Sequence, residues 1–138
     1  MVFDVKPITS SRETCCGAVS LKMLLAYYGT EVELDDLIRE TETGIAGASM
    51  KSLRRVGAAH GLDAVVFSMD AEELVRQDRP AIIWWRFTHF IVFSGVDENG
   101  QIVVCDPSRG RYRMSFGLFK SLYSKVSLWN GAPEDLPE

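Results

Sequence analysis

The chain has 138 residues, of which 46% are hydrophobic and 25% are charged, and its composition matches one ordinary globular domain. Its net charge of −4 and the lack of a basic run argue against nucleic-acid binding, which depends on lysines and arginines that neutralise phosphates. The longest strongly apolar run, residues 81–85, is far shorter than the roughly 20 residues that a membrane-spanning helix needs.

The first half of the chain has the hydrophobic periodicity of α-helices. Apolar residues recur at spacings of three and four over residues 17–29, and the glycine at the end of this segment predicts a helix stop. Residues 33–41 and 49–61 predict two more helices, the second capped by its first serine. Residues 43–47 between them predict a loop.

The second half has the β-branched and aromatic composition of strands. Residues 97–100 contain an Asn-Gly pair, a strong signal for a hairpin turn. Short helices are predicted near residues 71–77 and 117–123. Strands are predicted at residues 63–67, 81–87, 89–96, 101–106 and 125–129. Helices followed by a mostly antiparallel sheet define a single α+β domain, with a core of about residues 10–129 and a frayed acidic tail at residues 130–138.

The three cysteines favour thiol chemistry over structural roles. Cys15, Cys16 and Cys105 form an odd set that no fully paired disulfide framework can use. A zinc site is poorly supported, because His60 and His89 are isolated from each other and from any Cys-x-x-Cys pair. We therefore predict no metal and no cofactor.

Cys16 is the candidate nucleophile. It lies at the predicted N-terminus of the first helix, where free backbone N–H groups and the helix dipole stabilise a thiolate. Gly17 would let a substrate backbone approach closely. His89 begins an apolar strand that could hold it rigidly as the base, and Asp106 ends the next strand, where it could orient the imidazole.

The predicted hairpin places the last two residues near each other. If residues 97–100 form the turn, Val96 pairs with Gln101, and residues near 91 lie opposite Asp106. Taken singly, each candidate could also have a purely structural role. A cysteine is often a small buried hydrophobic residue, and a histidine is often a core residue whose hydrogen bonds are satisfied. An aspartate before proline often forms a turn. The arginines after this turn, Arg109, Arg111 and Arg113, predict a solvated edge.

Five segments of the chain form a recognisable pattern in their order and spacing. They are CCGAVSLKMLLAYYG, GASMKSLRRVGAAHGLDA, PAIIWW, HFIVFSGV and CDPSRG. This pattern resembles the C39 peptidases, which are papain-like cysteine proteases. The resemblance covers about residues 10–129 and implies the papain-like fold, with Cys16 as nucleophile, His89 as base and Asp106 as the orienting residue. It also implies that the backbone N–H of Cys16 contributes to the oxyanion hole.

The resemblance implies a function as well. C39 peptidases remove leader peptides after a double-glycine-type pair during export, commonly as the cytoplasmic N-terminal domain of bacteriocin-exporting ABC transporters. We therefore expect a precursor peptide with a helical leader and an ABC transporter as partners. A cytoplasmic location agrees with a start that lacks a secretory signal. An apolar groove would bind the leader helix, and Trp84, Trp85 or Tyr112 would wall a cleft that selects glycine.

The sequence departs from the family pattern at two positions before Gly17. Cys15 stands where the family usually has an acidic residue. Ser10 stands six residues before the nucleophile, where the family has a glutamine whose side-chain amide completes the oxyanion hole. The loss of one such donor typically lowers the rate roughly 10²–10³-fold.

This departure keeps two further functions open. A degenerate relative would bind the leader peptide or a transporter without cutting. A different papain-like acyl transfer, such as transglutamination or amide hydrolysis, would use the same three residues. The chain contains no phosphate-binding G-x-x-x-x-G-K-[ST] loop, so we do not expect this chain alone to hydrolyse a nucleotide.

Overall fold

The computed structural model describes residues 1–44 and 47–133, except for the side chain of Glu13. Residues 45–46 of the predicted loop and residues 134–138 of the predicted tail lie outside the described residues. The predicted α+β class is confirmed, because helices pack against one sheet of six strands.

Five α-helices and one 3₁₀ turn form the helical part of the described chain, close to the predicted positions. In this part of the chain, no helix combines the length and the apolar character needed to cross a membrane. The 3₁₀ turn is Glu13–Cys15, and the helices are α1 Cys16–Tyr27, α2 Leu34–Glu40, α3 Met50–Ala59, α4 Ala71–Arg76 and α5 Phe116–Leu122.

The six strands form one sheet in which neighbouring strands are antiparallel. Their order across the sheet is β1-β6-β2-β3-β4-β5, so that β3 and β4, which carry the candidate base and its orienting residue, are neighbours. The strands are β1 Ala64–Ser68, β2 Ala81–Trp85, β3 His89–Val96, β4 Ile102–Asp106, β5 Gly110–Met114 and β6 Tyr123–Asn130.

Local capping explains where the helices begin and end. In α3 the Ser49 hydroxyl accepts a hydrogen bond from the Ser52 backbone N–H at 3.0 Å, and the Ser52 hydroxyl accepts one from the Ser49 N–H at 3.2 Å. This reciprocal pair satisfies two N–H groups that the first helical turn leaves without partners. The glycines that follow α1 and α3, Gly29 and Gly61, have φ angles of +92° and +100°, which stop each helix as predicted.

Helix α1 is the centre of the core. Nine of its 12 residues are buried, so it is covered on nearly all sides rather than along the single apolar stripe that its periodicity predicts. The Ser20 hydroxyl donates to the backbone carbonyl of Phe90 at 3.2 Å, which joins α1 to β3. Because a fully buried apolar side chain contributes roughly 1.5–3 kcal/mol, the leucines of α1 hold the helix firmly on the sheet.

Gly17 has a packing role. A Cβ at this position would lie 3.2 Å from the Ala48 Cβ and 3.2 Å from the Phe90 ring, and 3.4 Å from the Leu53 side chain. Gly17 therefore lets α1 pack closely against its protein neighbours, and the close approach of a substrate backbone stays a prediction.

The packed part of the chain is wider than the predicted limits of residues 10–129. Phe3 and Val5 are buried, and the Phe3 N–H donates to the Ser94 carbonyl at 2.9 Å. At the other end, the Gly131 N–H donates to the Asp63 carbonyl at 2.7 Å. The tail predicted to be frayed from residue 130 is thus hydrogen-bonded through at least its first two residues.

A β-bulge sets the register of β3 and β4. Val96 pairs with Ile102 rather than with Gln101, so the predicted register is one residue off beside the turn. The register shifts across Gly95, whose φ angle is +109°, and Val92 then pairs with Cys105. One residue further along, this register places Asp106 opposite residue 91, as predicted.

We expect Gly95→Ala to destabilise the protein by about 2–4 kcal/mol. The added Cβ would sit at a positive φ angle and only 2.2 Å from the Met1 carbonyl oxygen. Urea denaturation measures the effect. Gly117→Ala is the matched control, because Gly117 lies in α5 with open space around it and should gain roughly 0.5–1 kcal/mol. Equal effects at both glycines would contradict this account of the bulge.

Candidate active site

The fold brings the three predicted catalytic side chains to one cleft. Cys16 is the first residue of α1, His89 is the first of β3, and Asp106 is the last of β4. All three line a cleft of about 510 Å³. Residues separated by up to 90 positions in the sequence therefore meet where a helix N-terminus faces the ends of two adjacent strands.

His89 and Asp106 form a direct hydrogen-bonded pair. His89 Nε2 lies 2.8 Å from Asp106 Oδ1, and both side chains are largely shielded from water, with 22% and 5% of their surfaces exposed. Because Nε2 is engaged by the carboxylate, Nδ1 is the ring nitrogen left for Cys16. This is the arrangement in which one side chain orients a base and the base serves a nucleophile.

The hydrogen-bonded pairing shifts the pKa values of both His89 and Asp106. Burial alone would lower the pKa of His89, but hydrogen bonds and charge interactions with Asp106 and Cys16 outweigh burial and raise the pKa to about 9. Burial would raise the pKa of Asp106, but the bonds from His89 and Ser108 outweigh it and lower the pKa to about 2. At neutral pH the pair is therefore an imidazolium and a carboxylate.

Two further side chains hold the Asp106 carboxylate. The Ser108 N–H and hydroxyl both donate to Oδ1, at 2.8 and 2.7 Å, and the Tyr112 hydroxyl donates to Oδ2 at 3.2 Å. Burial and the Asp106 charge raise the pKa of Tyr112 to about 12, so its hydroxyl remains a donor. Ser108 was not predicted from the sequence, although an aspartate that accepts a hydrogen bond from the N–H two residues later is a recognised turn signal.

Ser10 lies on the same cleft. Its backbone N–H donates to the Pro107 carbonyl at 2.8 Å, and its hydroxyl oxygen accepts from the Arg12 N–H at 3.2 Å. The segment before α1 is thereby tied to the turn that follows Asp106. Since the oxygen accepts in this contact, the hydroxyl proton of Ser10 can be donated into the cleft.

The two tryptophans of β2 point to opposite sides of the sheet, because neighbouring side chains alternate along a strand. Trp85 pairs with His89 and lines the cleft. Trp84 pairs with Phe90, with the two ring centroids 4.6 Å apart. Of the three aromatic residues predicted to wall the cleft, Trp85 and Tyr112 lie there and Trp84 does not.

Trp84 instead lines a second, shallower groove of about 340 Å³. The start of α3 forms one wall of the groove, and the sheet forms the other. The lining is mainly apolar and consists of Ala48, Ser49, Met50, Trp84, Phe90 and Val126. One strand therefore supplies an aromatic side chain to each of two separate surfaces.

The other two thiols are placed differently from Cys16. Cys15 is buried and does not line the cleft. Cys105 is fully buried with its Sγ 3.8 Å from the Val5 carbonyl oxygen, and burial raises the pKa of its thiol. Within the described residues, no cluster of three or more His, Cys, Asp or Glu side chains could hold a metal ion.

The chain matches a known protein family. Residues 4–133, nearly the whole chain, match the Peptidase C39 family. The chain belongs to this family. It is 27% identical over 129 residues to the probable microcin-H47 secretion/processing ATP-binding protein MchF of Escherichia coli, covering 91% of this chain and 18% of MchF.

A second relative and two solved structures extend the comparison. The lactococcin-G-processing and transport ATP-binding protein LagD of Lactococcus lactis is 26% identical, and the match covers 90% of this chain. The chain spans 18% of the length of both relatives.

A double glycine motif protease from an AMS/PCAT transporter, solved with the leader peptide, superposes with a TM-score of 0.87 at 26% identity, covering 92% of this chain and 91% of that one. The peptidase domain of Streptococcus ComA superposes at 0.83 with 20% identity, covering 91% and 96%. The papain-like fold is therefore confirmed.

The His89–Asp106 pair predicts a pH dependence of stability. The pKa of His89 is about 9 in the folded protein and roughly 6.5 in an unfolded chain. The stabilisation is thus fully present below pH 6.5 and is lost as the pH rises toward 9. We expect the free energy of unfolding of Cys16→Ala, in which no thiol can exchange a proton with His89, to decline over this range, and to decline much less when Asp106→Asn is added, as measured by urea denaturation at successive pH values.

His60→Gln provides the control for this experiment, because it removes the chain's other histidine, which pairs with Glu40 away from the cleft. In the same Cys16→Ala background, His60→Gln should retain the decline. An NMR titration of His89 gives a direct measurement, and Asp106→Asn should lower the pKa of His89 by at least about one unit. An unchanged titration in Asp106→Asn would contradict the assigned pairing.

Proposed function

We propose that this domain is a cysteine peptidase that cleaves leader peptides after a double-glycine-type pair during the maturation and export of bacteriocin-like peptides. The observation that carries the proposal is the cleft shared by Cys16 and the hydrogen-bonded pair of His89 and Asp106. Membership of the C39 family supports it. So do the secretion and processing roles named for MchF and LagD.

The proposed reaction starts from a Cys16 thiolate beside a His89 imidazolium. The thiolate attacks the carbonyl carbon of the second residue of the small-residue pair, and the imidazolium donates its proton to the leaving amine of the next residue. The resulting acyl-enzyme is hydrolysed by a water molecule that neutral His89 deprotonates, which releases the leader. Asp106 keeps the imidazole oriented and stabilises its charged form through both steps.

The oxyanion of each tetrahedral intermediate needs donors near Cys16. We assign the backbone N–H of Cys16 as one donor and the Ser10 hydroxyl as the second, in place of the family's glutamine amide. The hydrogen bond of Ser10 to the Pro107 carbonyl supports this role, because it holds the serine at the cleft. A serine side chain is shorter than that of glutamine, so we expect slower turnover than in relatives with glutamine.

Recognition of the leader would use the apolar groove lined by Met50, Trp84 and Phe90. An amphipathic helix buries its apolar face in such grooves, and the groove lies on the opposite side of β2 from Trp85. We also propose an ABC transporter as partner and a position at the cytoplasmic face of the membrane. The named transport functions of the longer relatives support both proposals.

Ser10 also favours a second candidate function, which is binding without cleavage. In this case the groove would capture the leader or a transporter partner, and the incomplete oxyanion hole would leave the cleft without useful turnover. Another acyl transfer, such as transglutamination, would use the same three side chains and would be detected by its product.

We expect the protein to cut a precursor peptide encoded beside its gene after the Gly-Gly-like pair. Cys16→Ala should lower the rate by at least about 10³-fold, because it removes the attacking sulfur. Cys15→Ala is the matched control and should retain cleavage, since Cys15 does not line the cleft. Mass spectrometry of the products measures both the site and the extent of cutting.

Three outcomes separate the candidates. Tight binding of the precursor with no cut by wild type would support the docking function instead. A product joined to an added amine would indicate acyl transfer. Loss of cleavage in Cys15→Ala with retention in Cys16→Ala would reverse the assignment of the nucleophile.

Ser10→Gln should raise kcat for the same precursor by about 10²-fold, because it restores an amide donor at the oxyanion hole. KM should change little, since the donor acts mainly in the transition state. Steady-state kinetics measure both constants. Ser11→Gln, one residue further along on the same cleft, is the positional control and should not reproduce the gain. An unchanged kcat in Ser10→Gln would show that Ser10 does not occupy the oxyanion position.

A further inference from the structure

The cleft is locally positive although the chain is acidic. Arg12, Arg86 and Arg109 line it together with His89, whereas the formal net charge of the chain is −4. Among the described side chains that line the cleft, Asp106 is the only acidic one, and its carboxylate is already bound by His89. Clefts lined by one sign of charge attract ligands of the opposite sign.

Arg86 occupies an unusual position in the turn between β2 and β3. Arg86 and the next residue, Phe87, have φ angles of +55° and +59°, and the Thr88 N–H donates to the Trp85 carbonyl at 3.1 Å. Two consecutive turn positions with positive φ normally hold Asn-Gly, because large side chains are strained at positive φ. Arg86 and Phe87 are therefore not residues that stabilise this turn. Their presence indicates that the Arg86 side chain has a role outside the turn.

Contacts from the end of α5 and from β6 hold this strained turn in place. The Arg86 N–H donates to the Leu122 carbonyl at 2.8 Å, and the Phe87 N–H donates to the Ser124 hydroxyl at 2.9 Å. Both donors are backbone groups. A substitution of the Arg86 side chain can therefore retain these two contacts.

The side chain of Arg86 has fewer charged and aromatic partners than those of the other two arginines at the cleft. Arg12 lies 3.7 Å from an Asp35 oxygen, and the Arg109 guanidinium stacks 3.9 Å above the Tyr112 ring. Among the described side chains, which exclude that of Glu13, no ion pair involves Arg86. A guanidinium presents its N–H groups in a planar fork that matches a carboxylate.

We propose that the cleft selects peptides with a carboxylate side chain within two residues of the small-residue pair, and that Arg86 binds this carboxylate. The proposal rests on the proposed function in one respect, since it assigns a charge preference to the same peptide-binding cleft. Arg12 and Arg109 add to the positive field around the cleft. The recognised partner is thus an acidic peptide segment beside the cut.

The test compares fluorescent peptides that span a Gly-Gly pair and carry either glutamate or glutamine at one of the two positions before or after the pair. Their affinity for Cys16→Ala is measured by fluorescence anisotropy. We expect at least one glutamate peptide to bind about three- to tenfold more tightly than its glutamine partner in low salt. This preference should shrink at high salt, because salt screens exposed charges.

Two double variants assign the preference to a residue. Cys16→Ala with Arg86→Gln should lose the preference for the glutamate peptide. Cys16→Ala with Arg113→Gln is matched in charge and should retain it, because Arg113 pairs with Asp97 and does not line the cleft. Circular dichroism checks that both variants fold.

Equal binding of glutamate and glutamine at all four positions would overturn the proposal. A preference that is equally strong in the Arg86→Gln and Arg113→Gln variants would overturn the role of Arg86. Because binding requires no cut, the absence of cleavage by the wild-type protein would count against the proposed peptidase function alone.

Discussion

The hydrogen bond between His89 and Asp106 is the interaction on which the candidate site depends. The bond forms because β3 and β4 are antiparallel neighbours. The start of β3 and the end of β4 therefore lie side by side, and both side chains stand at the same end of the sheet. Ser108 and Tyr112 fix the carboxylate, so the imidazole has one favoured orientation. The raised pKa of His89 follows from this pairing and from the nearby Cys16, and it keeps the base protonated at neutral pH.

Packing of α1 supplies the third member of the site. The helix is buried on nearly all sides, and Gly17 lets it approach α3 and β3 closely enough to bring Cys16 to the cleft. The segment before the helix is tied to the turn after Asp106 by the hydrogen bond from Ser10 to Pro107. Nucleophile, base and candidate oxyanion donor are therefore held by one connected set of contacts, and a shift in the sheet register would disturb all of them.

Much of this arrangement could be predicted from local patterns. Periodicity and glycine stops located the helices, and the Asn-Gly turn gave a register that places Asp106 opposite residue 91. The bulge at Gly95 was not predicted, because it depends on contact with the N-terminal segment. The position of Trp84, which lines the second groove instead of the cleft, was also not predicted, since an aromatic residue in a strand gives no sign of which surface it will line.

The sequence by itself determined the α+β class, the family resemblance and the three residues proposed for chemistry, because these depend on residue types and on spacings within short segments. Tertiary structure alone decided that Gly17 serves packing, that Ser108 and Tyr112 hold Asp106, and that Arg86, at a strained turn, lines the cleft. The physical reason is that these roles arise from contacts between segments distant in the chain. Such contacts exist only once α1 and the sheet have packed together.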